Sequence, residues 1–175
     1  MHPHDRRSHA RFIYGLLLFG VIARLAPHPW NATPVMAIGL LAGTYLAKRW
    51  GVLLPLGIAM ISDAVLGWHA TVPFTWGAFA LTGTLAWWIR QRPTAGRIVT
   101  SALAGSSLFF IITNLGVWIA GSLYPRTAVG LAECFLAAIP FFRAELIGNL
   151  LYTTALFAAY HLAAHSPLTH QAAKP

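Results

Sequence analysis

Six apolar runs, separated by short segments rich in Arg, Pro or His, leave this 175-residue chain few ways to fold; they lie at 12–26, 34–47, 52–66, 72–89, 98–122 and 145–164. A helix rises about 1.5 Å per residue and needs roughly 20 residues to cross about 30 Å of hydrocarbon. Several runs fall short of that, so they are expected to extend into their flanks, to cross where the bilayer is thin, or to pack inside the bundle. A further stretch, 129–139, is apolar but too short to span and ends at Pro140. It reads as a helix lying on or dipping into the outer interface, outside the count. The expected fold is all-α: a polytopic membrane protein built as a six-transmembrane-helix bundle. A basic segment, 1–11, precedes the membrane domain, 12–164, and a tail, 165–175, follows it.

Composition supports this class. The chain is 57% hydrophobic and 9% charged, against about 25% charged in a soluble domain. Its net charge of +8 comes from short basic clusters between apolar runs, whereas a nucleic-acid surface needs many scattered Lys and Arg; no nucleic-acid partner is expected. One cysteine excludes a disulfide framework and a thiolate zinc cage. Although Arg6, Arg7 and Arg11 lead into the first run, no small-x-small cleavage site precedes Pro27, so the run reads as a retained helix rather than a signal peptide.

Positive residues stay on the cytoplasmic side in short loops. Of the 12 Lys and Arg, nine fall on one face of the six-span topology: Arg6, Arg7, Arg11, Lys48, Arg49, Arg90, Arg92, Arg97 and Lys174. Arg24, Arg126 and Arg143 fall on the other. Both termini are therefore expected in the cytoplasm.

With that topology, the rare polar residues gather in the outer half. Arg24 ends the first span, Asp63 lies near the outer end of the third, Asn114 is far along the fifth, and Glu145 and Asn149 share a face of the sixth. Outer segments add His28, Asn31 and His69, with Trp30, Trp68 and Glu133. A charge within a span is costly and normally faces a partner or a wet cavity. The plainer alternative is that Arg24–Asp63 and Arg143–Glu145 are structural locks; convergence of polar groups from several spans at one level favours a pocket open to the outside. The segment 27–34 has three prolines in eight residues and is a stiff connector, either a rim or lid carrying His28 and Asn31 or a simple helix terminator. His28 and His69 are weak candidates for a metal or a metal-containing ligand. His161 and His165, spaced i,i+4, read as an interfacial population, and Cys134 as a small apolar filler. Trp30, Trp68 and Trp76 offer faces for a flat ligand, or anchors at the interface. Gly39-x-x-x-Gly43-x-x-x-Ala47 gives the second helix a small face for close contact, within the bundle or with a partner.

The order Arg24-Leu25-x-Pro27-His28-Pro29-x-Asn31-x-Thr33-Pro34, Ser62-Asp63-x-x-x-Gly67-x-His69, Phe110-x-Ile112-Thr113-Asn114-x-Gly116-Val117-Trp118, Tyr124-Pro125-x-Thr127, Ala138-Ile139-Pro140-Phe141-Phe142 and Gly148-x-Leu150-x-Tyr152 resembles a family of small bacterial membrane proteins assigned to transport without an established function (DUF6580). That family in turn looks like the S components of energy-coupling factor (ECF) transporters, six-helix proteins that bind vitamins at their outer side, with solitary cobalamin binders as the relatives to compare. Two departures qualify the resemblance. The first helix, with Gly15-Leu16-Leu17-Leu18-Phe19, lacks the small-x-x-x-small face expected for docking on a shared energising module, and 72–76 has no cysteine to ligate cobalt.

The resulting expectation is a bacterial inner-membrane protein that binds a small vitamin- or cofactor-like solute outside and carries it inward. Arg24, His28, Asn31, Asp63, His69, Asn114, Glu145 and Asn149 form the site, without a cofactor, a metal or catalysis. Membrane lipid and an energising membrane partner are the other expected associations, since no Walker A sequence is present. The competing expectation is a non-transporting assembly or regulatory subunit whose intramembrane polar residues are structural. A membrane enzyme using Asp63, Glu145 and His69 as acid–base groups is a third, with no motif to fix a reaction.

Overall fold

A computed structural model describes residues 3–27 and 31–164, and among them every regular element is an α-helix. Seven follow in order: α1 (Pro3–Leu25), α2 (Val35–Tyr45), α3 (Lys48–Leu66), α4 (Val72–Gly83), α5 (Ala86–Gln91), α6 (Ala95–Ala120) and α7 (Ala128–Ala164). Three, α3, α6 and α7, are long and apolar enough to cross a membrane. Their outer faces carry Met60, Val65, Leu103, Ile111, Leu136 and Leu151, all exposed, a surface suited to lipid rather than water. The chain is a membrane protein.

The remaining helices fall short of that test for physical reasons. α1 has 23 residues, but it opens with Arg6, Arg7 and Arg11, so its apolar sequence begins only at Phe12. α1 therefore includes residues 3–11 of the basic segment as well as the first apolar run. α2 has 11 residues, about 16 Å at 1.5 Å per residue, and is buried from Val35 to Thr44. Protein, not lipid, surrounds it. The run 72–89 is split between α4 and α5, where the Thr82 and Thr84 hydroxyls donate to the carbonyls of Phe79 (3.2 Å) and Leu81 (2.6 Å). Across the break the backbone takes i→i+3 bonds, Thr84 N–H to Leu81 and Leu85 N–H to Thr82 at 3.1 Å, as expected where side chains compete for helix carbonyls.

α2 is the hub of the bundle. Its Val35, Ile38, Leu40 and Leu41 share one core with Leu54 and Ile58 of α3, Phe79 of α4, Ile89 of α5, Ala102 of α6 and Phe157 of α7. The small face of α2 is used inside this bundle: a Cβ on Gly39 would stand 2.6 Å from Pro55 Cγ, and one on Gly43 would stand 2.9 Å from Gly51 Cα. Gly51 in turn presents its carbonyl to Gly83, where any Cβ would collide with it. Three backbones thus meet with no side chain between them, a close approach typical of membrane helices.

The structure corrects the reading of 129–139 and Pro140. That stretch does not lie on an interface as a separate element; α7 runs unbroken for 37 residues through Pro140. Proline lacks one N–H and frees the carbonyl four residues earlier, a local loss that membrane helices tolerate when neighbours pack around it. The extra length runs antiparallel to α6, with the Phe110 ring tilted against Phe142 at 4.7 Å and edge-to-face with Phe135 at 5.4 Å.

One end of the bundle is basic. There Tyr45 stacks on Tyr160 at 4.1 Å and bonds His161 Nε2 at 2.9 Å, while Phe12 lies 6.3 Å from Tyr160. Arg90 donates to the Thr44 carbonyl (2.9 Å) and Arg97 to that of Trp88 (2.8 Å), placing cations on the last carbonyls of α2 and α5. The other end holds the C-termini of α1, α3 and α6 and the N-termini of α2, α4 and α7.

The glycine crossing yields a contrast within one helix. Gly83→Ala is expected to lower stability by about 1–3 kcal/mol through overpacking. Gly77→Ala, where nothing lies within 4 Å of the added methyl, should raise it by about 0.5–1 kcal/mol. Thermal unfolding of the purified protein measures both, and equal melting temperatures would refute the crossing as a packing constraint.

Candidate functional site

At the end opposite the basic residues, the helices leave two adjoining cavities. The inner one, about 180 Å3, is lined by Arg24, Asn31, Thr33, Met36, Leu66, Phe79, Phe109 and Glu145. The outer one, about 540 Å3, has Arg24, Asn31, Phe109 and Glu145 in common with it and reaches up to His69, Leu123 and Tyr124. These four shared residues make the two a single chamber with Arg24 and Glu145 at its waist.

Arg24 is fixed by its surroundings. Its Nη2 donates to Asp63 Oδ1 at 2.7 Å, and its Cζ lies 5.6 Å from the Phe79 ring centroid. Asp63 is 1% exposed, and its second oxygen accepts from Trp76 Nε1 at 2.8 Å. Both oxygens of this buried carboxylate are therefore satisfied, as burial of a charge demands. Asp63 lies behind the cavity wall, and Trp76 serves it as a donor, with Trp68 packed on Trp76 at 5.7 Å. These two tryptophans support the ion pair and do not line the cavity.

Glu145 stands differently. It is 6% exposed, accepts from Ser106 Oγ at 3.2 Å through Oε1, and has no hydrogen-bond partner at Oε2. The pairing with Arg143 considered from the sequence is not formed; residues two apart on a helix face different ways. Asn149, one turn along α7, is 1% exposed and also lies behind the wall. Its Nδ2 donates to Ser106 Oγ at 3.0 Å and to the Ala102 carbonyl at 3.1 Å. Asn149 thus orients the hydroxyl that holds Glu145.

Of the eight residues singled out from the sequence, Arg24, Asn31, His69, Asn114 and Glu145 meet on the chamber wall. Asp63 and Asn149 act one layer back, and His28, like Trp30, lies outside the described residues. Asn31 sits at φ 58, in the left-handed region that Asn tolerates better than most residues, and the following Ala32 is buried against Gly148 of α7. The described part of the proline-rich connector is thus a packed rim. His69 Nδ1 bonds Thr71 Oγ1 at 2.7 Å, and Asn114 Nδ2 donates to the Phe110 carbonyl at 2.7 Å. Cys134 is buried on the wall with its thiol 3.5 Å from the Asn114 carbonyl. Among the described residues no three His, Cys, Asp or Glu side chains form a metal-binding group.

Sequence reasoning missed most of the wall. Phe110, Thr113, Asn114 and Val117 form one stripe of α6, and Cys134, Ala137, Ala138, Phe141, Phe142 and Glu145 one stripe of α7. Both follow the i, i+3, i+4, i+7 pattern of a helix face. The second is hidden in the sequence because Pro140 reads as a helix end. Chemically, the chamber combines an aromatic lining with few polar groups, an immobilised guanidinium and a carboxyl with a free oxygen.

Fold and site together define an all-helical membrane protein with a chamber at one end of its bundle. A model of the family of unknown function DUF6580 matches residues 5–172, and the chain belongs to that family. No curated protein and no solved structure matches it.

The two-partner burial of Asp63 gives an ordered mutational series. Arg24→Met leaves an uncompensated buried carboxylate and is expected to cost about 3–5 kcal/mol. Trp76→Phe removes one neutral donor, at about 1–3 kcal/mol. Reversal of the pair, Arg24→Asp with Asp63→Arg, should not restore stability, because the Trp76 N–H would then face a cation. Melting of the purified variants checks the order; a reversal as stable as the native protein would refute the three-group arrangement.

Proposed function

We propose that this protein binds a small vitamin- or cofactor-like solute in the chamber and carries it inward across the bacterial inner membrane. The observation that carries this reading is the outer cavity: at about 540 Å3 it falls within the roughly 300–1,000 Å3 of small-molecule sites, and like them it is mostly apolar with a few convergent polar groups. A bundle held together only by structural polar residues has no need of such a space, and this separates the proposal from an assembly or regulatory subunit.

Six crossings are the topology this reading uses, with α4 and α5 counted as one and the short α2 shielded at the centre. In this reading both termini are cytoplasmic and the chamber opens outward, a sidedness supported by Lys48, Arg49, Arg90, Arg92 and Arg97 at the opposite end of the bundle. Resemblance to the S components of ECF transporters accords with an outward solute site. With the glycine face of α2 already used within the bundle, solitary action or an energising partner that docks elsewhere is favoured.

Native mass spectrometry of the gently extracted protein tests this. A co-purified small molecule is expected, and Ala138→Trp, which fills the outer cavity from a buried wall position, should abolish it while leaving the protein folded. A native protein that is folded but empty, and that binds none of a vitamin and cofactor panel, would sink the proposal.

A further inference from the structure

Charge balance inside the chamber specifies its ligand further. Among the described residues, Arg24 and Glu145 are the only Lys, Arg, Asp or Glu side chains on the wall. Arg24 is matched by Asp63 at 2.7 Å, and the pair contributes no net charge. Glu145 has no cation: its one partner is the Ser106 hydroxyl, and Oε2 has none. A buried carboxyl in a membrane protein normally finds a counter-charge. Around it stand Phe79 and Phe109 in the inner lobe and Phe109, Phe110, Phe141 and Phe142 in the outer. Aromatic faces attract cations through the ring quadrupole, more so when water is excluded.

We infer that the chamber selects an organic cation, a protonated amine or cationic nitrogen heterocycle on an apolar or flat body, with Glu145 as its counter-charge and the phenylalanines as its walls. The inference rests on the reading of the chamber as a solute site and adds the ligand's charge. An anion is the opposing choice, since Arg24 Nε also lacks a partner. Against it, the guanidinium is already held by Asp63 and covered by Phe79, so an anion would enter beside two carboxyl groups balanced by one cation. The cation lets Asp63 and Glu145 both keep partners. Thr71, Thr75, Thr113 and Asn114 higher on the wall provide neutral polar groups for the rest of such a molecule.

Three probes of matched shape decide the question by titration calorimetry on the full-length protein: 2-phenylethylammonium, 2-phenylethanol and phenylacetate. The ammonium should bind most tightly. Glu145→Gln should weaken it about ten- to hundred-fold, the size of a lost hydrogen bond to a charged group, and leave phenylethanol within about twofold. If phenylacetate binds tighter than the ammonium, or if Glu145→Gln holds the ammonium equally well, the inference fails. Should Glu145→Gln not fold, the order of the three probes on the native protein decides alone. Binding of phenylethanol or phenylacetate in preference, abolished by Ala138→Trp, would overturn the cation while keeping the solute site. Binding of no probe, by a protein that also carries no co-purified molecule, would overturn both.

Discussion

A carboxylate buried among apolar helices is unstable unless its charge is answered, and Asp63 organises this bundle through that requirement. Arg24 comes from the end of α1 and Trp76 from α4, so satisfying one side chain of α3 fixes three helices against one another. The arrangement also sets the waist of the chamber. Because Asp63 takes one guanidinium nitrogen and Phe79 covers the group, Arg24 stands as a rigid wall element. Of the two members of this pair, the acid locks the helices and the base faces the cavity.

Packing at the hub answers to a different constraint. α2 is too short to cross a bilayer by itself and is surrounded by protein on all sides, which removes the need for an apolar exterior and rewards small residues instead. Gly39, Gly43, Gly51 and Gly83 let three backbones approach until carbonyl oxygens replace side chains as neighbours. That compact hub leaves the volume of the chamber to the other end, where α6 and α7 continue as a pair above the level of Arg24. The layered hydrogen bonds Asn149 to Ser106 to Glu145 join the hub to the chamber, so the position of the free carboxyl depends on α6–α7 packing.

Much of this was legible in the chain. Apolar runs marked most of the helical sequence, the basic clusters marked one end of the bundle, and residues scarce in membrane spans marked five of the wall positions. The sequence was misleading at Pro140. A proline usually ends a helix because its ring crowds the carbonyl four residues earlier and one hydrogen bond is lost, yet here neighbouring helices pack around it and the helix continues. Reading it as a stop divided a single stripe from Cys134 to Glu145 and concealed the aromatic wall. Trp76 was ambiguous for another reason: an indole near a span end serves equally as anchor, stacking face or donor, and only the position of Asp63 selects the donor.

Residue scarcity and periodicity therefore determined that this is a helical membrane protein with its polar groups gathered toward one end, because hydrocarbon penalises every exposed charge and unpaired backbone group regardless of context. Tertiary structure alone decided which of those groups satisfy one another and which are left over. Asp63, Glu145 and Asn149 look alike in sequence, as polar residues in apolar runs. They differ only in what the neighbouring helices bring within 3 Å or so of their polar atoms, and that depends on helix rotation and depth, which no local pattern encodes.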